Sequence, residues 1–136
     1  MSKMPRREFV KKSALAVAAA PAAVSSEEAG RKKSLLVHHV YFWLKKPGNE
    51  ADTAKLIEGL ETLLSIPTIK LAHIGKPADT DRGVIDRSYA ISWLCFFKDL
   101  ADEEIYQKHP THLKFVENYA HLWERVVVYD SVGEKR

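Results

Sequence analysis

Apolar residues fall in short segments along the chain, and their spacing shifts between the period of a strand and that of a helix. Residues 35–44 are a β-branched and aromatic run closed by Lys45-Lys46-Pro47-Gly48, which predicts a strand ended by a turn. Asn49 then stands at a helix N-cap with Asp52 three residues on, and Leu56, Ile57, Leu60, Leu63 and Leu64 recur at helical spacing, so a helix is expected over about 50–65. Pro67 marks its exit. Residues 68–76 read as a second strand, 77–87 as a polar loop and 88–97 as a third strand. Asp99 caps a short helix with Asp102 three residues later. His109-Pro110 breaks that helix and opens another, since proline suits a first helical turn. His112, Phe115, Val116, Tyr119 and Trp123 share one stripe, and 126–129 form the last strand.

The order β-α-β-β-α-β is the ferredoxin-like pattern. It predicts an α+β domain with a four-stranded antiparallel sheet and the helices on one face. Alternation along the first strand sets His39, Tyr41 and Trp43 on one side and His38, Val40, Phe42 and Leu44 on the other. Both sides are largely apolar, so the face away from the helices needs a cover, and a homodimer packed sheet to sheet is the expected one.

Charge changes the picture only once the domain is delimited. The chain holds 21 Lys and Arg against 18 Asp and Glu, but Lys3, Arg6, Arg7, Lys11 and Lys12 against Glu8 stand before Ser25, which leaves 16 against 17 in the rest. The basic excess therefore gives no reason to expect a nucleic acid or an anionic membrane as partner. Arg6-Arg7-Glu8-Phe9-Val10-Lys11-Lys12 fits a twin-arginine signal, followed by an alanine-rich stretch too short to span a bilayer. Ala20-Pro21-Ala22 and Ala23-Val24-Ser25 both offer small residues for cleavage. The expected organisation is a signal over 1–25, a polar linker over 26–33, the domain over 34–132 and a tail over 133–136. The expected destination is the periplasm or another exported compartment, without stable membrane association after cleavage. Cys95 is the single cysteine, inside the third strand, and reads as a packed hydrophobe.

Three segments carry a family resemblance. Val37-His38-His39-Val40-Tyr41-Phe42-Trp43-Leu44-Lys45 resembles the opening strand of the stress-responsive α/β-barrel (Dabb) family. Tyr106-Gln107-Lys108-His109-Pro110-Thr111-His112-Leu113-Lys114-Phe115 is similar to its Tyr-x-x-His-Pro-x-His-x-x-Phe segment, and 123–130 to its closing strand. The resemblance implies a ferredoxin-like subunit that pairs into a dimeric eight-stranded barrel, with a cavity between sheet and helices in each subunit. In the branch that cyclises linear polyketides, that cavity holds a histidine from the first strand and a tyrosine and histidine around the His-Pro-x-His segment. By motif position these are His39, Tyr106 and His112. Tyr41, Trp43, His109, Phe115, Trp123, Val126 and Val128 would line the pocket.

Two imidazoles in one pocket can serve as base and acid, and a phenol can polarise a carbonyl beside them. This favours acid–base work on a small apolar carbonyl compound, of the cyclase or isomerase kind and without a cofactor. Two other readings stand beside it: a non-catalytic dimer that sequesters a hydrophobic ligand or serves in a stress response, and a cofactor-independent monooxygenase. The paired His38-His39 and His109-x-x-His112 have ligand-like spacing, but no carboxylate or thiolate accompanies them at a usual one, so no metal is expected.

Overall fold

The structure, a computed structural model, describes residues 34–136. The twin-arginine segment, its cleavage positions and the linker expected over 1–33 lie outside the described residues. Ser34–Gly133 form one compact unit. Its elements are β1 (Ser34–Leu44), α1 (Glu50–Thr62) with a 3-10 turn (Leu63–Ser65), β2 (Leu71–Gly75), β3 (Ile91–Phe97), α2 (Leu100–Lys108), α3 (Pro110–Tyr119), a second 3-10 turn (Ala120–Leu122) and β4 (Trp123–Glu134). The sheet runs β2-β3-β1-β4.

Local chemistry sets the element ends. Gly48, at φ +77°, closes the turn after β1 in a conformation that side chains resist. The Asn49 side chain accepts the Asp52 N–H at 2.8 Å to start α1, and Asp99 accepts that of Asp102 at 2.9 Å to start α2. His109 both ends α2 and caps α3, its Nδ1 accepting the Thr111 N–H at 3.1 Å, with Pro110 in the first helical turn. β2 is shorter than expected because Ile69 turns back onto Ile66 before pairing begins. β4 is longer, reaching through Asp130, Ser131 and Gly133, residues with little strand preference of their own. β1, eleven residues long, is its neighbour in the sheet and supplies the pairing that the local sequence does not announce.

Strand parity then builds the core. Leu36, Val40, Phe42 and Leu44 of β1 are buried, as are Ile91, Trp93, Cys95 and Phe97 of β3, against Leu56 and Leu60 of α1, Tyr106 of α2 and Phe115 of α3. The alternate residues Val37, His39, Tyr41 and Trp43 are only half-buried and face away from the helices. α1 and α3 approach closely at Gly59, where an added Cβ would lie 2.7 Å from the Tyr119 ring.

Candidate functional site

His38 leaves β1 on the helix side of the sheet, in register with Cys95 of β3, and is 3% exposed. Its Nδ1 lies 2.7 Å from Asp130 Oδ1 of β4 and 3.8 Å from Glu103 Oε2 of α2. Glu103 Oε2 in turn accepts the Gln107 amide at 2.7 Å, one helical turn along. The Tyr106 ring meets His38 edge-on at 5.5 Å and His112 at 4.7 Å, and Phe115 lies 6.3 Å beyond His112. The break at His109-Pro110 makes this possible, because it lets α3 fold His112 back over Tyr106 rather than carry it onward.

His112 and Tyr106 thus stand together as expected from the sequence, but His39 does not join them. An odd-numbered residue on β1 points to the open face, where His39 stacks on Tyr41 at 4.4 Å and its Nδ1 shares a 3.2 Å hydrogen bond with the Tyr41 hydroxyl. The histidine that reaches Tyr106 is its neighbour His38, which shares its parity with Val40, Phe42 and Leu44. Tyr41 and Trp43 are displaced from the expected pocket for the same reason. Trp43 lies under the Arg125 guanidinium at 4.3 Å and donates to Ser88 at 3.0 Å.

The other expected lining residues divide. Phe115 and Trp123 stack at 5.7 Å on the helix side, where Trp123 also meets Phe42. Arg125 and Tyr129 contact Trp43 and Tyr41 on the open face, so alternation puts Val126 and Val128 on Asp130's side, at 43% and 46% exposure. They are exposed rather than part of an enclosed wall. His109 is the helix corner itself. A pocket of about 150 Å³ is lined by Thr62, Thr111, Lys114, Phe115, Asn118 and Tyr119, a set that includes neither His38 nor His112.

Electrostatics separate the roles. Burial, then the nearby His38, hold the His112 pKa below its ordinary value, against a smaller opposing effect of the Gln107 carbonyl. His112 Nδ1 is buried and has no hydrogen-bond partner among the described residues. Tyr106 is 2% exposed and its hydroxyl accepts the Trp93 indole N–H at 3.0 Å, so its oxygen is directed to the core rather than to a ligand. Burial pushes its pKa far up, and that of Cys95 beside it, which leaves both groups protonated. Burial, then His73, lower the pKa of His39 on the other face.

Residues 36–132 match the model of the stress responsive A/B barrel domain. The chain belongs to the Dabb family. A Dabb protein with a ferredoxin-like fold from Mesorhizobium loti is 21% identical, covering 76% of this chain and all of that one, with a TM-score of 0.62. A hydroxynitrile lyase from Passiflora edulis is 20% identical over 78% of this chain and 98% of its own, also at 0.62. A ferredoxin-like protein from Thermobifida fusca, described as dimeric and of unknown function, is 19% identical over 73% and 91%, at 0.59. At these identities the likeness shows the fold. No curated protein matches the chain by sequence.

Of the candidate site in this Dabb domain, sequence reasoning missed Glu103 and Asp130, and weighed His38 only as half of a ligand-like pair with His39. The signals were present: His38 falls in the aliphatic parity of β1, Glu103 is three residues before Tyr106 on α2, and Asp130 is a lone carboxylate at the end of an apolar strand.

Proposed function

We propose that this Dabb domain binds a small apolar carbonyl compound between sheet and helices and moves a proton at its α-carbon, with His112 Nδ1 as the acceptor. The observation that carries this is the buried, unpartnered Nδ1 of an imidazole whose pKa burial lowers. Buried polar groups are normally paired, and a neutral imidazole whose Nδ1 has no partner among the described residues is free to take a proton there from a bound ligand. Tyr106 and Phe115 give it an apolar surround, while His38, Glu103 and Asp130 concentrate polarity at one end. The fold also serves an enzyme, the hydroxynitrile lyase of Passiflora edulis, which supports a catalytic rather than a purely structural reading. We further propose that the domain works as a homodimer, in keeping with the dimeric Thermobifida relative, and that the twin-arginine segment exports it.

The test uses 1-phenylpropan-2-one in D2O as a probe, with deuterium uptake at its α-carbons followed by NMR. The protein is expected to accelerate exchange, and His112→Gln to lower the acceleration by about 10²-fold or more, the usual scale for losing a positioned base. Equal exchange with wild type and His112→Gln refutes the assignment.

A further inference from the structure

His38, Glu103 and Asp130 come from three separate elements, β1, α2 and β4, yet their nearest ligand-type atoms all lie within 4.8 Å of one another. Two carboxylates compete there for one imidazole N–H. The Nδ1 proton can serve Asp130 at 2.7 Å, and Glu103, at 3.8 Å, then has only the Gln107 amide among the described residues. The Glu103 side chain is 14% exposed and that of His38 4%. Among the described residues, neither carboxylate has a Lys or Arg partner within 4.0 Å. One N–H satisfies only one of the two carboxylates at a time. A part-buried carboxylate with no cationic partner is costly, and among the described residues the cluster has none, which leaves room for a bound cation.

We propose that His38 Nδ1, Glu103 and Asp130 bind a divalent first-row transition ion such as Zn²⁺ or Mn²⁺. An imidazole with two carboxylates suits these ions, whereas Mg²⁺ and Ca²⁺ favour oxygen alone. Metal–ligand bonds of about 2.0–2.2 Å place ligand atoms roughly 3–3.5 Å apart, within reach of the observed separations after small side-chain shifts. The Gln107 amide on Glu103 Oε2 is the kind of outer contact that fixes a ligating carboxylate. Asp130, at 47% side-chain exposure, is the entry side. Three protein ligands leave coordination positions for water or for the oxygen of a carbonyl ligand. This deepens the reading of the site as one for carbonyl compounds and rests on it for the ligand, but ion binding itself is measured separately.

The tag-free protein, stripped with a chelator, is titrated with Zn²⁺ and with Mn²⁺ by calorimetry, and bound ion is counted after dialysis. Saturation at one ion per chain at micromolar concentration is expected. Asp130→Asn and Glu103→Gln should each weaken binding by about tenfold or more, and Gln107→Ala by about tenfold through the lost outer contact. Glu104→Gln, whose carboxylate pairs with Lys108 on the surface, should bind as the wild type does. Melting curves in chelator establish that each variant is folded, so a loss of binding is a loss of ligands. Absence of saturable binding, or equal binding by wild type, Asp130→Asn and Glu103→Gln, overturns the site and leaves a hydrogen-bonded triad. Deuterium exchange of 1-phenylpropan-2-one in chelator reports on His112 alone, so the two readings fail independently.

Discussion

Trp93 donates its indole N–H to the Tyr106 hydroxyl across 3.0 Å, with both side chains inside the core. Tyr106→Phe keeps the ring against His38 and His112 but orphans the indole. A buried donor without a partner costs about 1–3 kcal/mol, so the unfolding midpoint in denaturant should fall accordingly. Proton exchange at His112 should persist, because the oxygen is bonded away from it. Loss of exchange at unchanged stability instead would place the hydroxyl in the chemistry.

The acid limb of the stability curve should carry a His112 signature. Burial, then His38, hold the folded pKa below the ordinary 6.5. The unfolded chain therefore takes up this proton more readily than the folded one. The contribution is complete above pH 6.5 and is lost as pH falls from there through the folded value. Denaturation midpoints measured across this range should decline less steeply for His112→Gln than for wild type, and parallel curves would contradict the shift.

On the open face, Leu94 sits in register between His39 and His73. If a second copy covers this face, about 1,500 Å² or more should be buried in total. Leu94→Arg puts an unpaired charge at its centre. Sedimentation should show a dimer for wild type and a monomer for Leu94→Arg, with a native circular dichroism spectrum. A wild-type monomer at micromolar concentration would remove the dimer from the account.

Gly59→Ala should destabilise despite alanine's better helix propensity of about 1 kcal/mol, because its Cβ would meet the Tyr119 ring at 2.7 Å, and overpacking costs about 1–3 kcal/mol. The Tyr119 hydroxyl donates to Glu58 at 3.0 Å, which restrains the ring from moving away. In a Tyr119→Ala background the same substitution should become stabilising. Chemical denaturation of the four proteins gives the coupling directly, and additive effects would show that the ring yields.

For export, replacing Arg6 and Arg7 by lysine should leave the precursor in the cytoplasm. Fractionation and immunoblotting read this out, and unchanged export excludes the twin-arginine route.

The element order was legible because each element announces itself locally. Leu56, Leu60 and Leu63 give a helical period, and Asn49 and Asp99 mark helix starts. His109-Pro110 marks the corner between α2 and α3. The site was legible only in part. Tyr106 and His112 lie seven residues from end to end, so a motif captures both. His38 and His39 fit the same motif position, and only the direction of the core distinguishes them. Glu103 and Asp130 reach His38 through the β1–β4 adjacency and the packing of α2, which no local pattern of residues encodes.

His38 and Asp130 are 92 positions apart in the chain. Nearly the whole domain must be synthesised before they can meet, and the sheet that joins them closes a long loop, an entropic cost that falls before any contact repays it. No fragment ending before β4 contains the His38–Asp130 pair, however well its helices form. A copy truncated before β4 therefore leaves His38 without Asp130 and β1 as an open edge of the sheet. Any activity at this site consequently reports on completion of the fold as well as on the ligand.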